Sequence, residues 1–270
     1  MGVMLNSASM PRDGPGGLIR VGAVPGPVAV DYSRLASTYD RVRSSPREVQ
    51  EFWLPALTRL ADVPEGSLVL DVGCGTGRIS VPLSERHRVV GVDASREMLD
   101  VARSKGSPAR FLLGDAARLP FPGGRFSVAL AVLVLHLLPD FRSAVGEMSR
   151  VAARAIVATV DIRRRETHAI DKAFPSLQGI DASRFPRIPA IEQAFRAAGC
   201  RSVERHDATR RVEASTEEFL DRVRGKYLST LSLLPPGEFE RGLAWLEEEL
   251  PRRGPRYTYS HTVTFVVAST

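Results

Sequence analysis

Cysteine, lysine and long apolar runs are all scarce in this 270-residue sequence, and each scarcity removes a class of protein. Two cysteines, Cys74 and Cys200, cannot build a disulfide framework, and neither stands at metal-ligand spacing from another Cys or a His. Both read as reduced, structural thiols, and no metal site is expected. The longest apolar run, VALAVLVLHLL from Val128, is interrupted by His136 and falls well short of the roughly 20 residues that span a bilayer. It reads as a buried strand, and no membrane role is expected. The opening stretch MGVMLNSASMPRDGPGG lacks the basic start and apolar block of a secretory signal, so a cytoplasmic location is expected. Lysine occurs only at 105, 172 and 226, leaving 34 arginines among the 37 basic residues, a skew that reflects a GC-rich coding sequence. The net charge of +6 is scattered, without the aromatic interleaving that stacks bases, and describes a solvated basic surface better than a nucleic-acid footprint.

What is present is the composition of a globular protein, 43% hydrophobic and 25% charged. Residues 1–30 are rich in Gly and Pro and poor in large apolar side chains, which predicts a flexible extension. From Asp31 to the end the pattern is that of one domain. Ser33 or Ser37 can cap a short helix, and the spacing of Val49, Phe52, Trp53, Ala56, Leu57 and Leu60 predicts a helix from Pro46 to about Ala61. Strands then alternate with helices through SLVLDVG, RVVGVDA, ARFLLGD, RFSVALAVLVL and RAIVATVDI, the pattern of a parallel sheet covered on both faces. Ligands bind such sheets beyond the carboxyl ends of the strands. Cap segments are expected at about 163–190, read as a long loop or partly helical insertion, and at 215–250, where STEE from Ser215 to Glu218 resembles a capping box. YTYSHTVTFVVAS closes the chain as an alternating strand.

The most informative stretch is LVLDVGCGTGRIS, Leu68 to Ser80. A dinucleotide turn would place its third glycine at position 78, which is Arg78, and a phosphate-binding P-loop would need a lysine that is absent. Asp71, directly before the turn, would repel a phosphate and hold an ammonium group. The ligand is therefore more cationic than a dinucleotide.

With its companions, VLDVGCGTG resembles the first motif of class I S-adenosylmethionine-dependent methyltransferases, in the small-molecule (UbiE-like, type 11) branch. VVGVDASREML, FLLGDAARLPFPGGRFSVAL, LVLHLLPD and YSRLASTYDRVR are similar to further elements of that family, in its order. The resemblance implies a Rossmann-like, seven-stranded, mostly parallel sheet with helices on both faces and a helical cap. It implies S-adenosyl-L-methionine as cofactor, with Asp71, Gly73, Gly75 and Gly77 at its amino-acid end. Asp93 would take the ribose hydroxyls, two charge-assisted hydrogen bonds to one carboxylate. Ala94 and Met98 would lie against the cofactor, and Asp115 and Ala116 would meet the adenine. Tyr39 and Arg43 would close over it, Arg43 on the methionine carboxylate. Asp93 is also placed to cap the helix that follows it. Phe126-Ser127 replaces the family's common Phe-Asp, and VAARAIV replaces a Gly-Gly turn; neither touches the cofactor contacts.

His136, just past the fourth strand, suits general-base work; the alternative is that it orients the strand end. The chain lacks the Pro-Pro-aromatic turn of base-amino methylating enzymes and a Pro-Cys nucleophile, so a small-molecule acceptor is expected. Tyr32, Tyr39, His168, Phe174, Phe185, Phe219, Tyr227, Phe239 and Trp245 are candidates to enclose it, each of them equally an ordinary core residue. The rival readings are a cofactor-binding relative without methyl transfer, such as a cyclase or scaffold, and an RNA methyltransferase.

Overall fold

The computed structural model describes residues 39–40 and 46–270. The expected extension over 1–30, the caps at Ser33 or Ser37, Tyr32 and Arg43 lie outside the described residues. Helix α1 runs over 46–61; β1 is Leu68–Val72, α2 Ser80–Leu83, β2 Arg88–Asp93, α3 Arg96–Ser104, β3 Arg110–Leu113 and β4 Phe126–Val132. There follow α4 Phe141–Val151, β5 Ala152–Thr159, α5 Ala169–Ala173, α6 Leu177–Arg184, α7 Ile188–Ala197, β6 Ser202–Ser215, α8 Thr216–Arg224, α9 Glu238–Arg253 and β7 Arg256–Ser269.

The seven strands form one sheet in the order β3-β2-β1-β4-β5-β7-β6, with β7 antiparallel to both its neighbours and every other pairing parallel. β1 and β4 are buried along almost their whole length because helices cover both faces. On one face α4 and α7 bury Val145, Met148, Ile191 and Phe195; on the other α1 buries Trp53, Leu57 and Leu60, with Trp53 edge-on to Phe265 of β7. The order reverses between β1 and β4, the switch point at which such sheets open a crevice.

The predicted helix from Pro46 to Ala61 is present, but its second turn is wound as a π-helix over Val49–Trp53. That turn brings the Trp53 indole N–H to the Glu48 carboxylate, 3.0 Å away. The segment read as a loop or partly helical insertion folds as α5 and α6.

The last two strands outgrow the sheet. β7 pairs with β5 only as far as Thr264 opposite Thr159, yet its pairing with β6 continues from Val263 opposite Ala208 to Arg256 opposite Ser215. The two-stranded ribbon so formed projects about 27 Å past the carboxyl edge at the usual strand rise. It carries the cap: α5, α6, α8 and α9 close around Phe174, Leu177, Phe219 and Leu246. The capping box at Ser215 forms as predicted, the Ser215 hydroxyl accepting from the Glu218 N–H at 3.1 Å and the Glu218 carboxylate accepting from the Ser215 N–H at 2.8 Å. Tyr257 on the ribbon accepts from the Ala169 N–H at 3.1 Å, tying α5 down. Where α9 crosses α5, a Cβ on Gly242 would lie 2.3 Å from the Phe174 ring and 2.5 Å from the Ala173 carbonyl. Gly242→Ala is therefore expected to destabilise the protein by about 1–3 kcal/mol, the scale of core overpacking, with first proteolytic cuts in the cap. Thermal unfolding and limited proteolysis measure both.

Candidate active site

Three acids climb across the carboxyl ends of three parallel strands as a staircase, each two residues farther along than the one on the strand before. Asp71 pairs with Gly91, so β2 continues two residues further to Asp93, and Asp93 pairs with Leu113, two residues before Asp115. Between them the glycine turn hooks over β2, with the N–H groups of Gly73 and Cys74 both donating to the Val92 carbonyl at 2.7 and 3.1 Å. Gly73 has φ +70°, and a Cβ there would lie 2.2 Å from a Val134 methyl, so only glycine admits the loop that follows β4. Gly77, at φ +74°, is hemmed in by Phe111, Val81 and Ala102 where helix packs on strand. Above Gly75, at φ +55°, there is open space: a Cβ would meet nothing within 4 Å.

Asp93 braces this cradle. One of its oxygens accepts from the Gly75 N–H at 2.8 Å and the other from the Ser95 N–H at 2.9 Å. Burial raises its pKa against those hydrogen bonds. The expectation that Asp93 caps the next helix is corrected: Ser95 stands directly before the first helical residue and accepts from the Met98 N–H at 3.2 Å. Ala94 is exposed at the strand end, and Met98 is buried. Asp115 accepts from the Ala117 N–H at 2.8 Å, and Ala116 is buried. Asp71 lies under the turn, 2% exposed, accepting from the Ser80 hydroxyl at 2.5 Å. Burial pushes its pKa up to about 6, opposed by the Ser80 hydrogen bond and by Arg78.

Two contacts on this side join motifs far apart in the chain. Tyr39 is half-buried beside Asp40, whose carboxylate is hydrogen-bonded by the Thr76 hydroxyl and by Lys105 Nζ, the latter at 2.5 Å. Lys105 also donates to the Thr76 carbonyl at 2.7 Å, so Asp40 is pinned to the glycine turn itself. Residues about 30 and 65 positions apart make this junction, and no local pattern could have revealed it.

On the far side of the turn, β4 is followed by Leu133, a leucine at φ +54° whose N–H donates to the Ala158 carbonyl at 2.8 Å. A left-handed non-glycine residue costs about 1 kcal/mol or more, and here the kink separates two directions. Val134 turns down onto Gly73, while Leu133 and His136 face a chamber between the sheet and the cap. The buried His136 ring lies parallel to Phe185, just past α6, centroids 4.0 Å apart at 7°. Of the residues named as candidates to enclose an acceptor, His168, Phe219 and Tyr227 also line the chamber. His168 donates through Nε2 to the Ser260 carbonyl at 3.0 Å. Phe174 and Phe239 do not line it: they stack on each other inside the cap, 5.9 Å apart. Trp245 faces a separate surface cleft with Lys172 and Arg241. The π turn of α1 supplies a wall that sequence missed, with Glu48 paired at 2.8 Å to Arg210 of the ribbon.

A methyltransferase domain family matches residues 69–155, the span from β1 into β5 that carries the turn and its acids. Over this span the chain resembles the class I S-adenosylmethionine-dependent methyltransferases. It is 35% identical over 125 residues to the malonyl-[acyl-carrier protein] O-methyltransferase of Serratia marcescens, covering 46% of this chain and 48% of that one. It is 30% identical over 176 residues to the demethylmenaquinone methyltransferase of Listeria monocytogenes, covering 62% and 66%. The chain thus spans about half the length of the first of these curated relatives. It also shares its fold with a protein of Anabaena variabilis described as a methyltransferase of antibiotic biosynthesis, at TM-score 0.65 and 20% identity, covering 86% of this chain and all of the other. A second structure, a SAM-dependent methyltransferase of Aquifex aeolicus, aligns at TM-score 0.51 and 20% identity over 64% of this chain and 90% of its own.

The raised pKa of Asp71 makes a prediction about stability. Above about pH 6 the native carboxylate is ionised in an apolar setting and the full cost is present; as the pH falls from 6 to about 4, the native state takes up a proton that the unfolded chain binds only later, and the cost disappears. Asp71→Asn keeps an oxygen for Ser80 without the charge. It is expected to raise unfolding stability at pH 8 by up to about 3 kcal/mol, with the gain vanishing near pH 4, measured by urea unfolding at the two pH values.

Proposed function

We propose that this methyltransferase moves a methyl group from S-adenosylmethionine to a small-molecule acceptor held in the chamber under the cap. One observation carries the reading: the segment after β4 touches both compartments, Val134 resting on the cofactor turn and Leu133 and His136 lining the chamber. A methyl donor on one side of this segment and an acceptor on the other would be held close enough for displacement.

The residues on the turn side fit the cofactor. The space above Gly75 leaves backbone room for its amino-acid end, near the buried carboxylate of Asp71. Asp93 spends one lone pair of each oxygen on backbone N–H groups and has acceptor capacity left for two ribose hydroxyls. Asp115 and Ala116, with Ala94 and Met98 nearby, would flank the adenine, and Tyr39 and Arg43 would close over the opening. When bound, the cofactor supplies a sulfonium-activated methyl group that departs with its carbon–sulfur bond.

What remains for the protein is alignment, exclusion of water and, for an acceptor that must lose a proton, a base. His136 is the side chain placed for that proton, held in plane by the Phe185 ring. An acceptor already ionised would not need it, and His136 would then serve only to position. The small-molecule reading rests on the enclosure itself, since a walled chamber admits a metabolite more readily than a polymer.

Asp93→Ala is expected to weaken S-adenosylhomocysteine binding by about 1–3 kcal/mol, the scale of lost charge-assisted hydrogen bonds; unchanged affinity by calorimetry would sink the cofactor assignment. His136→Ala is expected to lower kcat by about 10²-fold or more, the scale of general-base catalysis, at unchanged cofactor affinity. Retained turnover at saturating cofactor assigns His136 to positioning alone.

A further inference from the structure

The glycine turn is tied down from more than one direction, and one set of ties comes from outside the sheet. Gly73 and Cys74 donate to the Val92 carbonyl, Gly75 to Asp93, and Gly77 to the Cys74 carbonyl at 3.0 Å, so these bonds stay within β1, β2 and the turn itself. Thr76 is held differently. It sits between Gly75 and Gly77, both at positive φ, where glycine leaves the backbone free unless further contacts fix it. The Thr76 hydroxyl donates to one oxygen of Asp40, Lys105 Nζ donates to the other at 2.5 Å, and the same Nζ donates to the Thr76 carbonyl at 2.7 Å. The three residues close a ring of hydrogen bonds around the tip of the turn.

The ring uses the chemistry of each group. A carboxylate offers two acceptor oxygens, and both are engaged. An ammonium radiates its N–H groups from one atom and reaches a carboxylate and a carbonyl at once, whereas a guanidinium spreads its donors in a plane. Lysine stands here in a chain with 34 arginines and three lysines. Lys105 also caps the carboxyl end of α3, the helix whose N-cap residue, Ser95, donates to Asp93 through its N–H. One helix therefore fastens the cradle twice, at the acid that holds Gly75 and at the carbonyl of Thr76. Thr76 is 1% exposed, while the side chains of Lys105 and Asp40 are 28% and 38% exposed. The ring is dry at the turn and wet at the ion pair.

An ion pair of that exposure adds little to global stability. Its place is what gives it a use: Thr76 directly follows Gly75, above which lies the open space that receives the amino-acid end of the cofactor in the reading above. Resting on that reading, we propose that Lys105 and Asp40 are positioning residues for S-adenosylmethionine, their ion pair holding Thr76 so that the turn keeps its open shape before the cofactor arrives. A turn already shaped spares the ligand the ordering of two glycines, and that saving appears as affinity. Neither residue needs to touch the cofactor to act.

Calorimetry with S-adenosylhomocysteine on the full chain is the test. Asp40→Asn keeps an oxygen for the Thr76 hydroxyl and drops the charge; Lys105→Met keeps the length and drops the donors. Each is expected to weaken binding about fivefold or more, the scale of a charge-assisted hydrogen bond. The double variant falls no more than about twofold below the weaker single, as two halves of one interaction require. Lys105→Arg, with the charge but not the point geometry, lies between Lys105→Met and the unaltered chain. Lys172→Met, which removes an exposed lysine from the cap, leaves affinity within about twofold. Raising NaCl from about 0.05 to 0.5 M weakens binding by the unaltered chain at least about twofold more than binding by Asp40→Asn, because salt screens an exposed pair. A purely structural tie would lower the unfolding temperature of the unliganded protein and leave the affinity of the folded protein alone. Affinities within twofold in Asp40→Asn and Lys105→Met, fully additive losses, or an equal salt response overturns the proposal. If Lys105→Met melts early, Asp40→Asn and the salt comparison still decide it. No binding by the unaltered chain strikes the cofactor reading itself, whereas binding that survives in every variant of the ring strikes the positioning role alone.

Discussion

The contact between Gly73 and Val134 is the constraint from which the rest of the site follows. A parallel sheet that reverses direction between β1 and β4 leaves two strand ends diverging into loops on opposite sides, and a crevice between them. Here the two loops are drawn together, since a side chain on Gly73 would sit within 2.2 Å of a Val134 methyl. Such closeness needs a glycine on one strand end and, on the other, a chain that reverses within a residue. The left-handed Leu133 provides the reversal, and its N–H is secured to the Ala158 carbonyl of β5 at 2.8 Å, so the strain is held in place by the sheet itself. Val134 goes one way and His136 the other, which divides the carboxyl edge into the cradle of the glycine turn and the chamber under the cap.

The two compartments are built in different ways. The cradle is made by residues that follow one another: a strand, an acid at its carboxyl end, a turn and a helix, at β1 and again at β2, with the second acid two residues farther along than the first. The chamber is made by segments far apart in the chain, α1, the loop after β4, α6 and the β6–β7 ribbon. The ribbon makes this possible. Because β6 and β7 continue pairing beyond Thr264, where β5 stops, they raise a platform on which α8 and α9 rest and against which α5 is tied.

This difference explains how far the sequence could be read. The alternation of strands and helices, the acids and the glycine turn were legible because each is a local pattern whose physics is local: apolar runs for buried parallel strands, positive φ for glycine, a carboxylate at a strand end. Ser215 and Glu218 were legible as a capping box for the same reason, two side chains exchanging bonds with each other's backbone over one turn. The chamber was not. Phe174, Phe219, Phe239 and Trp245 have the same helical spacing and the same apolar character, yet Phe219 faces the chamber, Phe174 and Phe239 stack together in the cap, and Trp245 looks outward. Periodicity says that a face is buried and is silent on what buries it. The π turn at Val49–Trp53 and the Asp40 contacts with Thr76 and Lys105 leave no local trace at all.

The ion pair between Glu48 and Arg210 shows what such long-range contacts contribute. Its side chains are 10% and 18% exposed, so both charges have lost most of their water, and the attraction between them does little more than offset that loss. Its value lies in position. Glu48 also accepts from the Trp53 indole, and Arg210 also lies over the Phe52 ring at 5.4 Å, so the pair fixes the π-wound turn of α1 against β6 at a particular register. An apolar contact would have tolerated a slip of either element along the other; a charge pair with ring partners on both sides does not. The wall opposite the cap is thereby held at one distance from it, and the size of the chamber becomes a property of the fold rather than of whatever occupies it.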